Sequence, residues 1–249
     1  MRFFIQFSYF GKAYHGWQNQ PNAITVQEVL EKGMSKLLNN QVMLVGAGRT
    51  DTGVHAKEMY AHFNVDDFDD IPDFVFRLNS FLPNDIAVDR IFEVNVDAHA
   101  RFHAASRTYE YHIAKKKDPF STDLAYFVKK DLDVGLMNIA ANLLLGKKDF
   151  EGFSKSNTDV FTNICDLKKA QWVAKDDQLI FTISANRFLR NMVRAIVGTL
   201  INVGLGKYPP DYVNTILKSK DRTKAGVSVP AKGLYLTSIV YPNTILKNG

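Results

Sequence analysis

With 249 residues, 46% of them apolar and 23% charged, the chain has the make-up of a soluble globular protein long enough for one large domain or two of ordinary size. Its single cysteine, Cys165, excludes an internal disulfide and a cysteine-rich metal site and fits a reducing cytoplasm, and no stretch approaches the ~20 apolar residues of a membrane span. The net charge of +5 is compatible with a polyanionic partner, which in the absence of a basic block or low-complexity tail would meet a folded surface.

The opening residues do not read as a signal peptide, because Gln6 and Ser8 interrupt the apolar run. Phe3, Ile5, Phe7 and Tyr9 alternate with Arg2, Gln6 and Ser8, the period of a strand. The loop over 11–21 then holds Lys12, His15, Trp17 and Gln18, a cation, aromatics and an amide that can meet phosphates and stack on bases. A loop anchored by one tryptophan fits the same residues. Thr25 and Glu28 form a capping box, and Val26, Val29, Leu30, Met34, Leu37 and Leu38 make the apolar face of the helix it starts. Val42–Val45 reads as a short buried strand and 57–65 as another. A helix over 71–81, capped by Asp70 with Pro72 in its first turn, stops before Pro83, and 86–96 returns as a strand.

The second half repeats this order. Residues 106–115 read as a strand with Tyr109, Tyr111 and Ile113 on one face. Asp133 can cap a helix carrying Leu136, Ile139, Leu143 and Leu144, closed by Gly146. After a polar insertion over 147–163 come strands at 167–174 and 179–185, joined by a turn at Lys175–Asp177. A helix is expected from Phe188 to about Val203, and Leu234–Tyr241 closes as a strand. On that helix Leu189, Met192, Val193, Ile196 and Leu200 would face a sheet, while Arg187, Arg190 and Arg194 would share a neighbouring face. A solvated basic stripe is one reading. Arg194, however, lies among apolar residues, where its head group would need a carboxylate. The whole pattern predicts an α+β protein of two split-βαβ halves, 1–104 and 105–249, each an antiparallel sheet covered by helices.

One stretch carries more than structure. Gly46-Ala-Gly-Arg49-Thr-Asp51-Thr-Gly-Val-His55 packs three glycines into a shaped loop with a carboxylate at its centre. Arg49 nearby favours the ionised form of Asp51, which could then serve as nucleophile, base or electrostatic stabiliser. A surface turn whose Asp caps local N–H groups is the competing reading.

This decapeptide is similar to the catalytic motif of the TruA family of tRNA pseudouridine synthases, and the resemblance runs along nearly the whole chain in the family's order. It includes Gly16-Trp17-Gln18 with Gln20, Thr25-Val26-Gln27 with Leu30-Glu31, and Leu78-Asn79 with Leu82-Pro83 and Asp85-Ile86. It continues through Ala100-Arg101-Phe102, Arg107-Thr108-Tyr109-Glu110-Tyr111, Asn186 with Phe188-Leu189, Met192-Val193-Arg194 with Ile196-Val197-Gly198, and Ala231-Lys232-Gly233-Leu234 with Leu236. Two positions depart from the pattern: Thr52, where alanine is common, and Lys148, where histidine is common.

The resemblance implies an enzyme that isomerises uridine to pseudouridine in the tRNA anticodon stem-loop, at positions 38, 39 and 40. It implies two related halves whose sheets join around a central cleft, a symmetric homodimer, and no cofactor or metal. Asp51 would be the catalytic aspartate acting on a flipped-out uridine, and Tyr109 the aromatic packed on the uracil. Arg194 would pair with Asp51, Arg49 would help extrude the nucleotide, and Leu234 would be an apolar wall. Asp51-Thr52-Gly53 is also the tripeptide of aspartic proteases, but Arg49-Thr50 stands where their apolar strand belongs. A non-catalytic RNA-binding protein of the same fold is the other alternative, and retention of Asp51 and Tyr109 speaks against it.

Overall fold

The computed structural model describes residues 1–155 and 161–247. In chain order its elements are β1 (Arg2–Tyr9), α1 (Val26–Leu38), β2 (Val45–Gly46), β3 (His55–Asn64), α2 (Ile71–Phe81), β4 (Ile86–Val94), β5 (Ser106–Ala114) and β6 (Tyr126–Phe127). There follow α3 (Val134–Asn142), β7 (Gly146–Asp149), β8 (Ile164–Lys175), β9 (Gln178–Ala185), α4 (Met192–Gly204), α5 (Tyr212–Ser219) and β10 (Leu234–Val240). The protein is of the α+β class. It divides into two compact units, Met1–Ala105 with Tyr235–Gly249, and Ser106–Leu234. The closing segment from Tyr235 thus groups with the first unit, whereas the division read from sequence attached it to the second.

In the first unit the strand order is β4-β1-β3-β10, with β2 paired to β3. β1 runs antiparallel to β3 and to β4, while β10 lies parallel to β3 with Tyr235 opposite His55. The sheet is therefore mixed, not antiparallel throughout as expected. β1 is covered on both faces: Phe3, Ile5, Phe7 and Tyr9 are buried, and so is Phe4, whose ring meets Tyr241 edge-on at 5.2 Å. Thr25 accepts from the Glu28 N–H, and Asp70 accepts from the Asp73 N–H, so both predicted caps form. The expected strand at 42–45 shrinks to Val45–Gly46. Val42 and Leu44 are buried while Met43 and Val45 are exposed, so this segment alternates instead of being covered on both sides.

In the second unit the order is β5-β9-β8-β7, with the short β6 parallel to β5. The β8–β9 hairpin turns at Asp176, in the left-handed region at φ 50°, and Trp172 stacks on Phe181 across the pair at 4.8 Å. α4 starts at Met192, not at Phe188, because Asn191 sits at φ 64°, which no helix interior tolerates. Arg187 and Arg190 therefore precede the helix, and the three-arginine stripe does not exist. Every residue of α4 is buried apart from Arg194 and Asn202, the signature of a helix enclosed on all sides. α3 turns a different face inward from the one expected: Met137, Ala140 and Ala141 are buried with Leu144, while Ile139 is exposed. Gly146 has φ 89° but opens β7, and the helix ends earlier at Leu143. The expected polar insertion contains β7, and residues 156–160 of it lie outside the described residues. α5 had no counterpart among the elements expected from sequence.

Candidate active site

The Asp51 loop links β2 to β3, and residues from β1 and the segment after it hold it from several sides. The Tyr9 hydroxyl lies 2.8 Å from that of Thr50, and the Thr50 carbonyl accepts from the Trp17 N–H at 3.4 Å. The Asp51 carbonyl accepts from the Val54 N–H at 3.1 Å, closing a turn around the carboxylate residue, which is half-buried. The Gly53 N–H donates to the Tyr14 carbonyl at 3.4 Å, and the Tyr14 hydroxyl donates to Asp85 at 2.6 Å. Burial, followed by the Asp85 hydrogen bond and charge, pushes the Tyr14 phenol well above its ordinary range, so it remains a neutral donor.

The loop's three glycines serve different ends. Gly53 alone has positive φ, at 77°. Gly46 must lack a side chain because a Cβ there would stand 2.3 Å from Trp17 Nε1. A Cβ at Gly48 would meet nothing within 4 Å, so the tolerance for a side chain is wide. Trp17 is only 3% exposed and stacks on Phe7 at 5.2 Å. Its role here is that of an anchor, the second of the two readings of its loop, while Lys12, His15 and Gln18 are exposed. Arg49 is exposed on the loop itself.

The loop ends at His55, a buried residue that closes the sequence motif but had no work assigned to it there. Its Nδ1 accepts the Gly11 N–H at 2.9 Å, and its ring lies between Phe10, parallel at 4.5 Å, and Tyr235 at 4.8 Å. Burial raises the Tyr235 phenol to about 12. His55, Tyr9 and Tyr14 thus fix the backbone on which Asp51 and Arg49 stand. Only the motif itself pointed to His55, since Tyr9 read as core and Tyr14 as one aromatic among several.

The remaining candidates belong to the second unit. Tyr109, on β5, is half-buried and meets Phe188 edge-on at 5.2 Å. Arg194, in the first turn of α4, donates from Nε to the Val229 carbonyl at 2.7 Å, and the Val229 N–H returns a bond to the Arg194 carbonyl at 3.3 Å. A backbone carbonyl therefore meets one guanidinium donor where only a carboxylate was anticipated. Leu234 is buried at the head of β10. Lys148, one of the two departures from the family pattern, donates Nζ to the carbonyls of Leu143 and Leu145, orphan acceptors at the end of α3. Among the described residues no group of three or more His, Cys, Asp or Glu side chains is placed to hold a metal.

The profile of the tRNA pseudouridine synthases matches residues 140–242. The chain is also similar to proteins named tRNA pseudouridine synthase A: 49% identical to that of Parabacteroides distasonis, with 98% of this chain and 97% of the relative covered. It is 48% identical to that of Porphyromonas gingivalis over 98% of both chains, and 43% identical to that of a Thermoanaerobacter species over 95% of this chain and 98% of the relative. The fold and its Asp51 loop thus sit in a pseudouridine synthase. More narrowly, the chain belongs to the tRNA pseudouridine synthase A (TruA) family.

Proposed function

We propose that this protein isomerises uridines of the tRNA anticodon stem-loop to pseudouridine, with Asp51 as the catalytic carboxylate on a flipped-out nucleotide. As a member of its family it is an isomerase acting on tRNA. The observation that carries the reading is likeness to tRNA pseudouridine synthase A over 98% of the chain. The backbone turn that fixes Asp51, closed by the Val54 N–H, supports the choice of this carboxylate.

The chemistry asks for few groups. The bond from C1′ to uracil N1 breaks, the base turns in place, and C1′ rejoins at C5. The C5 proton leaves and N1 gains one, so the reaction is redox-neutral. In this reading Asp51 adds to the sugar or the base, or stabilises positive charge as the glycosidic bond lengthens, as carboxylates do for glycosidases. Tyr109 offers an aromatic face to the loose uracil, and Leu234 an apolar wall. Arg194 is assigned as the cation that pairs with Asp51. A base inside a duplex is out of reach, so extrusion costs a few kcal/mol, and Arg49 together with Lys12, His15 and Gln18 is assigned to offset it through contacts to the RNA.

The same reading takes the two units as related split-βαβ halves. The order β4-β1-β3 with β2 beside β3 supports this for the first unit. It also takes the working enzyme to be a cytoplasmic homodimer.

Nucleoside analysis of anticodon-arm uridines, in tRNA from cells carrying wild-type protein or Asp51→Ala as the sole copy, tests the assignment. Pseudouridine should disappear with the variant. Its persistence would remove Asp51 from the chemistry.

A further inference from the structure

Beyond the catalytic loop, the first unit carries a second loop, 97–105, with an unusual division of labour. Ala98 and Ala100 are buried, whereas Phe102 is 72% exposed and Arg101 and His103 are exposed beside it. The backbone is tied down through imidazoles and carbonyls. The Ala100 N–H donates to His62 Nδ1 at 3.2 Å, and the Arg101 N–H donates to His99 Nδ1 at 3.1 Å. The Ala100 carbonyl accepts from the Tyr241 hydroxyl at 2.6 Å, and the Ala98 carbonyl accepts from Arg2 at 2.9 Å.

The exposed ring is equally placed. Phe102 lies 4.2 Å from the His99 ring, and the Arg101 guanidinium carbon is 5.7 Å from the Phe102 centroid. A single exposed phenylalanine is ordinary on a protein surface. Here, though, a pinned backbone presents a ring flanked by the Arg101 guanidinium and the His99 imidazole. The surroundings are cationic: after burial, Arg2, His103 and Arg101 are the charges that hold His99 below its usual range. A fixed aromatic face with adjoining positive charge suits a phosphodiester backbone with an unstacked base, and is poorly matched to an apolar partner.

We infer that the Arg101–Phe102 platform is a second RNA contact, taking a phosphate and a neighbouring base of the tRNA away from the reacting uridine. His62 is seven residues along β3 from His55, about 23 Å at the usual strand rise, so this contact stands well apart from the Asp51 loop. The inference rests on the tRNA substrate proposed above.

Its test is the affinity of the full-length protein for a labelled tRNA transcript at several salt concentrations. Phe102→Ala should weaken binding about tenfold and Phe102→Trp should restore it, as expected for stacking. Arg101→Ala should weaken binding and lower the salt slope by about one, as expected for one lost phosphate contact. If wild type binds tRNA and all the platform variants match it, the platform inference falls while the proposed function stands. If Phe102→Ala shifts the sedimentation of the protein but leaves tRNA affinity unchanged, the platform joins copies of this chain and the inference is overturned. If wild type neither binds nor modifies tRNA, the function proposed above fails, and this contact with it.

Discussion

Two histidines on one strand perform the same operation with different neighbours. His55 opens β3 and His62 lies near its end; both are buried, at 2% and 5% exposure, and each takes a backbone N–H on Nδ1 from the loop it holds. His55 receives the Gly11 N–H and His62 the Ala100 N–H. The rings around them diverge. His55 is sandwiched by Phe10 and Tyr235, whereas His62 meets His99 edge-on at 4.6 Å with Arg2 close enough to repel its charged form. One hydrogen bond is thus supported by aromatic packing, whereas the other stands in a cationic setting that disfavours the protonated His62 imidazole.

The largest effect should come from removing the packed member. His55→Ala deletes a buried ring and leaves the Gly11 N–H without this acceptor, a loss of roughly 3–5 kcal/mol of stability by the usual scale for large-to-small core changes. Displacement of the Asp51 loop by even an ångström should also lower pseudouridine formation by about 100-fold. Chemical denaturation and single-turnover assays measure the two. His62→Ala should cost comparable stability while leaving single-turnover chemistry far less affected, and equal catalytic losses would erase the distinction between the two anchors.

The pH dependence should next expose the setting of His62. Burial first, then the charges of His99 and Arg2, lowers His62 from 6.5 to about 4. A base whose folded pKa is depressed binds more protons when unfolded. Its stabilising contribution is therefore complete above pH 6.5 and is lost as pH falls towards 4, by an amount on the order of 3 kcal/mol. Carboxylates titrate in the same window, so the informative quantity is the difference between wild type and His62→Gln, which keeps an acceptor but no titrating proton. That difference should shrink by up to about 3 kcal/mol between pH 7 and pH 4. A constant difference would mean that the cationic surroundings do not govern His62.

His55 stood in the sequence motif without a role and His62 was not singled out at all, and the reason is physical. Caps, strand periods and tight turns are local, so Thr25, Asp70 and Asp133 announced their helices, alternation announced β1, and β8 and β9 came with the turn that joins them. The start of α4 was missed because it depends on a left-handed Asn191, whose side chain donates to the Ser228 hydroxyl at 2.6 Å from a segment far along the chain. Position on the sequence could not say which face of α3 meets α4, where Gly204 is kept small by Met137. The Asp51 loop itself was visible as a motif, but the side chains of its supports Tyr9, Tyr14 and His55 bond across 41 to 71 positions, which no local pattern reveals.

Within the Asp51 loop a smaller contrast tests how closely it is fitted. Gly46→Ala drives a Cβ into the Trp17 ring and should cost about 1–3 kcal/mol, the usual range for overpacking. Gly48→Ala meets no neighbouring atom and should change stability by less than about 0.5 kcal/mol. Thermal unfolding of the two variants gives the comparison directly. Similar losses would show that backbone freedom, and not the approach of Trp17, is what the loop requires of both glycines.

A last contrast concerns the tie that reinforces His55. The Tyr14 carbonyl takes the Gly53 N–H, and its hydroxyl bonds Asp85, which also lends its carbonyl to the Phe10 N–H at 2.8 Å. Phe10 is the ring parallel to His55, so one short segment fixes both the glycine at the end of the loop and the face against which His55 packs. Tyr14→Phe keeps the ring and the carbonyl and removes only the hydroxyl, a loss of about 1 kcal/mol or somewhat more because the acceptor is a carboxylate. If His55 and this tie act as one unit, the double variant His55→Ala/Tyr14→Phe should be less destabilised than the sum of the two single changes. Strict additivity would instead make them independent supports, and the aromatic sandwich alone would account for the steadiness of His55.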